Sequence, residues 1–127
     1  MRAIRIISIF LLLLVAVNAL AAGYLFIVDP SGSRLGITIS WLKHSPFQDF
    51  LIPGMVLFMV NGVFNLVAAL FATFKWDHYA RLIAFQGMIL TGWIIVQMIF
   101  MRDIHFLHVL LGAIGVTLFM FGNRLNV

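Results

Sequence analysis

Few side chains in this 127-residue sequence could do chemistry: four histidines, four acids and no cysteine. Without cysteine there is no disulfide, no thiol redox couple and no thiolate metal site. The histidines are therefore the only candidates for redox-cofactor or metal ligation. His105 and His108 are three residues apart, so one helix can place both on one face. Two axial ligands of one haem must approach from opposite sides of its plane, so a bis-histidine haem would need His44 opposite one of them. His108 is the candidate haem ligand, and a hydrogen-bonded packing histidine explains it as well. A metal ion held by His44, His105 and His108 would find carboxylates only in Asp49 or Asp103, and no metal site is expected. His78 is predicted on the opposite side of the chain. The sequence contains no glycine-rich phosphate loop, GxSxG elbow, HExxH helix or paired carboxylates in a plausible cleft, so no catalytic residues are assigned and the reading leans away from an enzyme.

Uncharged amides are the second group. Asn61 and Asn65 are four residues apart with Gly62 beside them, Gln86 and Gln97 follow with Gly87, Thr91 and Gly92, and Asn18 lies far upstream. His108, Gly112, Gly115 and Thr117 complete a set in which each apolar segment carries a stripe of small or polar residues. Such stripes let helix backbones approach inside lipid, where an interhelical hydrogen bond contributes about 0.6 kcal/mol and at most around 2 kcal/mol. Alternatively, Asn61, Asn65, Gln86 and Gln97, with His108, line a polar cleft that binds a lipid headgroup, a quinone or another amphipathic ligand. Amides donate and accept hydrogen bonds but do not shuttle protons. Asp, Glu, Lys and Arg inside spans are the usual marks of proton and ion paths, and none of them lies in the four segments defined below, which disfavours a proton-coupled pump. A small-solute or lipid transporter remains a further alternative.

The elements that must position these residues follow from composition. At 64% hydrophobic and 9% charged, with a mean hydropathy of +1.14, the chain lacks the polar side chains to clothe a water-soluble surface. Crossing a bilayer takes roughly 20 helical residues, and four uncharged runs reach about that length: 6–28, 50–74, 82–101 and 104–122. The connections after the second and third runs are short, which makes consecutive helices antiparallel neighbours. The expected fold is all-α: a single membrane domain over 1–127 forming a four-transmembrane-helix, up-down-up-down bundle, with a structured extracytoplasmic loop between helices 1 and 2. The first run has a rival reading. Arg2 and Arg5, the apolar stretch that follows, and Ala19-Leu20-Ala21 also resemble a secretory signal peptide. The apolar character continues through Tyr24 to Val28, which favours a retained span.

Cationic flanks are held in the cytoplasm. Arg2, Arg5, Lys75, Arg81 and Arg124 fall on one side of the four-span arrangement and Arg34, Lys43 and Arg102 on the other, so both termini are placed in the cytoplasm. The basic residues are too dispersed for a nucleic-acid surface, despite a pI near 10.4. In the long loop, Asp29-Pro30-Ser31-Gly32 predicts a β-turn, Leu35 to Trp41 alternates as a short strand does, and Ser45-Pro46-Phe47-Gln48 predicts a helix start. Pro53-Gly54 predicts a kink. Phe74 to Arg81 concentrates aromatics and cations as an interfacial anchor.

Asp29-Pro30-Ser31-Gly32-Ser33, Leu35-Gly36, Trp41-Leu42, Ser45-Pro46-Phe47, Ile52-Pro53-Gly54 and Asn61-Gly62 together resemble a group of small uncharacterised bacterial four-helix membrane proteins. In size and topology the chain also looks like the DoxX-like group, some of whose members are associated with quinone-linked oxidation. The resemblance implies a bacterial inner-membrane location and leaves a quinone- or haem-associated redox role as the alternative to the leading expectation. That expectation is a protein without chemistry or cofactor of its own, contacting the lipid bilayer and serving as an accessory or scaffold subunit of a membrane complex or as a homo-oligomer.

Overall fold

The computed structural model describes residues 2–33, 46, 49–101 and 106–125. The described residues form four helices and no strand: α1 (Arg2–Val28), α2 (Leu51–Thr73), α3 (Tyr79–Met101) and α4 (Phe106–Leu125). Three helices are long and apolar enough to cross a membrane: Arg2–Val28, Leu51–Thr73 and Tyr79–Ile99. The fourth is apolar over Val109–Leu125 and falls short of that length among the described residues. Helix ends lie near the predicted span ends, with three extensions. α1 begins at Arg2, α3 begins at Tyr79 and α4 runs on to Leu125, because charged flanks too polar for the hydrocarbon can still continue a helix into the headgroup layer. The alternating segment from Leu35 to Trp41 and the proposed helix start around Ser45 lie outside the described residues, Pro46 excepted.

α1 buries Ser8, Leu12, Val15, Ala16, Ala19 and Gly23, a spacing of three and four that defines one face. That face meets α2 along its length and in opposite sense. Gly23 lies against Gly54 and Phe58, Leu20 against Gly62, and the Arg5 guanidinium donates to the Ala72 carbonyl at 2.9 Å. At the far end of the pair, Phe26 stacks on Phe50 with ring centroids 4.7 Å apart, and the Phe50 N–H donates to the Pro30 carbonyl at 2.9 Å. The predicted turn is present there: Gly32 donates to the Asp29 carbonyl at 3.1 Å and has φ 81°, which glycine adopts without a Cβ clash. The Asp29 carboxylate accepts from the Ser31 and Ser33 hydroxyls.

α2 is not uniform. Residues Leu57–Val63 form a π-helical stretch between two α-helical ones. Pro53 falls in the first turn of α2, where its missing N–H has no helical acceptor to lose, so the irregularity comes later than Pro53-Gly54 predicts. Its consequence is rotational. In a regular α-helix Gly54 and Gly62 would point about 80° apart, at about 100° per residue. The wider π turn advances by less per residue and brings both glycines onto α1.

α2 ends in a Schellman motif. Trp76 N–H donates to the Phe71 carbonyl at 2.9 Å and Lys75 N–H to the Ala72 carbonyl at 3.4 Å, with Lys75 left-handed at φ 52°. The hydrophobic contact that accompanies such motifs is Trp76 edge-on to Phe71 at 5.1 Å, with Phe74 stacked on Trp76 at 5.4 Å. α3 and α4 then pack through glycine: Gly87 against Gly115 and Phe119, and Gly122 against Ala80 and Ala84. Leu12, Ala68, Ala69, Ala72, Ile83 and Leu118 form a core to which all four helices contribute, and Val15, Leu90 and Ile94 form a second cluster. The interior is rich in alanine and glycine, as expected where association depends on close van der Waals approach rather than on expelling water.

Candidate functional site

The serine and threonine hydroxyls in these helices are satisfied locally. Ser8 donates to the Ile4 carbonyl, Thr73 to Ala69, Thr91 to Gly87 and Thr117 to Ala113, each one turn back on its own helix. Asn18 does the same with Leu14 at 3.0 Å and lies exposed on the α1 surface.

The buried amides differ. Asn61 and Asn65 are each 1% exposed and Gln86 is 3% exposed. Asn65 Nδ2 donates to the Asn61 carbonyl at 2.7 Å, which leaves its Oδ1 without a partner. Asn61 Nδ2 and Oδ1 and Gln86 Oε1 are also buried without a hydrogen-bond partner. An unpaired buried polar group costs about 1–3 kcal/mol, so these atoms call for a physical explanation. Asn61 lies within the π stretch, and Asn65 one turn beyond it. From the shared core, Asn65 is one turn before Ala68 and Ala69 and Gln86 one turn after Ile83, so both lead into the same interior. The close seat of Gly62 on Leu20 holds α1 tight over this region.

The sequence places Asn61, Asn65, Gln86 and Gln97 in one cleft; the structure brings the first three inside and leaves Gln97 partly exposed, further along α3. His108 occupies the first turn of α4, and its side chain, like His44 and His105, lies outside the described residues. His78 sits in the turn between α2 and α3 in a left-handed conformation, φ 71°. Among the described residues no three His, Asp or Glu side chains gather as metal ligands would.

A second polar feature is not apparent from residue spacing alone. Arg2, Arg5, Lys75 and Tyr79 line a cleft of ≈ 380 Å³ where the start of α1 meets the end of α2 and the start of α3. The sequence places the three cations on one side of the membrane. Only the antiparallel register of α1 on α2, fixed by Arg5 on Ala72, makes them neighbours.

The class these observations define is a chain whose described elements are all helices, and whose apolar helices suit contact with a lipid bilayer. No family model, curated protein or solved structure matches it.

Proposed function

We propose that the chain is a polytopic protein of the bacterial inner membrane, a four-span up-down-up-down bundle with both termini in the cytoplasm. In this reading it acts without chemistry of its own, as an accessory or scaffold subunit of a larger membrane assembly or as a homo-oligomer. The orientation is supported by the five cations at the α1 start, the α2–α3 turn, the α3 start and the α4 end, against the single acid Asp77 there.

The observation that carries the subunit reading is the outer face of α3. Phe85, Met88, Ile95, Val96 and Ile99 are all exposed, and Gly92 lies among them with nothing within 4 Å of the position its Cβ would take. A glycine notch flanked by large apolar side chains gains little from lipid tails and suits the ridge of another helix. Native mass spectrometry of gently extracted protein tests this. A stoichiometric partner or oligomer that dissociates on Gly92→Leu is expected, because the notch is open and the fold tolerates the larger side chain. A monomer both before and after the substitution overturns the reading.

The buried amides favour a second reading, in which a quinone or another amphipathic ligand with a polar head enters between α1 and α2 and satisfies Asn61, Asn65 and Gln86. This agrees with what a DoxX-like resemblance implies. It requires α1 to shift from Gly62. An absorption spectrum of the purified protein and a quinone assay of its lipid extract decide it: no chromophore and no quinone end this reading.

A further inference from the structure

We propose that the cleft formed by Arg2, Arg5, Lys75 and Tyr79 binds the phosphate group of an anionic phospholipid. The cleft measures ≈ 380 Å³, and no carboxylate among the described residues lines it. Three cations face one space, Arg2 and Lys75 exposed and Arg5 half-buried, and their summed positive potential suits an anion. The start of α1 adds to this field: its first turn carries no acidic side chain, and the N-terminal end of a 27-residue helix is the positive end of its dipole.

The geometry around Lys75 is the more telling observation. Its position in the Schellman motif is left-handed, where glycine is the usual residue and a Cβ costs about 1–2 kcal/mol. A lysine in a glycine position places a cation in the cleft at the expense of backbone strain, and strain of this kind clusters at functional sites. Arg5 is oriented by its bond to the Ala72 carbonyl, which also accepts from Lys75 N–H, so the cation on α1 is tied to the turn that carries the cation of α2. A guanidinium has five donors, and the bond to Ala72 uses one. Tyr79 packs on the core shared by the helices and contributes a phenol to the cleft wall.

The proposal does not depend on the accessory role. A headgroup whose phosphate has no ammonium partner, such as phosphatidylglycerol, matches this lining, whereas the choline of phosphatidylcholine brings a fourth cation to it. The test measures retention of phosphatidylglycerol against phosphatidylcholine, matched in acyl chain, on the purified full chain by native mass spectrometry. A strong preference for phosphatidylglycerol is expected. It falls about fivefold for each cation neutralised, in Arg2→Gln and in Lys75→Gly, and about 25-fold in the double variant. Lys75→Gly also relieves the left-handed strain, so its melting temperature stays level or rises while the preference falls, an outcome a purely structural lysine would not produce. Should Lys75→Gly melt lower, Arg2→Gln decides alone.

Equal retention of the two lipids by the unaltered chain overturns the proposal, as does a preference that survives both substitutions. Arg81→Gln lies outside the lining and is expected to leave the ratio nearly unchanged; a loss as large as for Lys75→Gly means diffuse surface charge and no site. Glycerol 3-phosphate supplies the soluble arm. If it displaces phosphatidylglycerol at millimolar concentration, the phosphate chemistry stands and the lipid as its source does not.

Discussion

The contact between α3 and α4 gives the sharpest prediction, because it depends on backbone meeting backbone. A Cβ added at Gly87 would lie 2.4 Å from the Phe119 nitrogen, 2.5 Å from the Gly115 carbonyl oxygen and 3.0 Å from the Leu118 carbonyl carbon. Ordinary contact begins at 3.4 Å, so the shortfall is 1.0 Å (3.4 − 2.4) against atoms that no rotamer change can move. Gly87→Ala must push the helices apart by about that much. Overpacking of this kind costs about 1–3 kcal/mol, and a gap of about 0.5–1 Å opened elsewhere in the seam forfeits a quarter to a half of each dispersion contact there. The control is on the same seam. A Cβ at Gly112 meets only Ile94 Cγ2, at 3.9 Å, which is normal packing.

Unfolding in mixed micelles, followed by tryptophan fluorescence, separates helices that remain helical. The usual advantage of alanine over glycine in helix propensity therefore largely cancels, since it counts only where the helix itself unravels. Gly87→Ala is expected to lose about 1–3 kcal/mol, and Gly112→Ala to stay within about 0.5 kcal/mol of the parent. If the two variants unfold alike, or if Gly87→Ala is no less stable than the parent, the reasoning from close approach is wrong.

Three further outcomes follow from single contacts. Asn61→Leu is expected to be neutral or stabilising by up to about 1 kcal/mol in the same assay, since neither amide atom has a partner to lose; a marked loss of stability together with loss of a co-purifying ligand would instead favour the amphipathic-ligand reading. Arg5→Gln removes the guanidinium from the Ala72 carbonyl and is expected to lose about 1 kcal/mol at this half-exposed site, and unchanged unfolding would show that the bond does not cap α2. A double-mutant cycle of Phe26→Leu with Phe50→Leu should return a coupling of about 0.5–1.5 kcal/mol for the stacked rings; strict additivity would mean that the chain entering α2 is held by the Pro30 carbonyl and the Asp49 carboxylate, which accept from Phe50 and Leu51.

What could be read from the residues and what could not divide along physical lines. Helix limits were legible because charges cannot enter hydrocarbon: Asp29 and Asp49 bracket the long loop, and α1 and α2 stop and start within two residues of them. The turn at Asp29–Gly32 was legible because proline and glycine each restrict or permit one φ value. Burial of Asn61, Asn65 and Gln86 followed from the cost of presenting an amide to lipid. Asn18 and Gln97 show the limit of that argument: Asn18 stays on the outer surface of α1 by bonding back to the Leu14 carbonyl, and a side chain near a helix end, such as Gln97, can reach the headgroup layer without turning inward. Which glycines interlock was hidden, since Gly87 and Gly115 meet while Gly92 and Gly112 stay open, and hydropathy assigns all four alike. Leu57–Val63 has no compositional mark of a π-helix, and its effect shows only in the packing, where it turns Gly54 and Gly62 onto the same neighbour.

The end of α2 was hidden for a different reason, and that reason bears on function. Sequence rules look for glycine or asparagine where a helix turns left-handed, and Lys75 offers neither. A residue that defeats the rule does so at a cost in stability; His78 bears the same cost in this turn, and of the two only Lys75 lines the cleft. Twelve charged residues serve the whole protein, and three of them line one cleft at the end of α2. In a chain this short of charge, a strained lysine beside two arginines is the least economical way to end a helix and an effective way to hold an anion. The position hardest to read from sequence is for that reason the one most informative about what this end of the bundle meets.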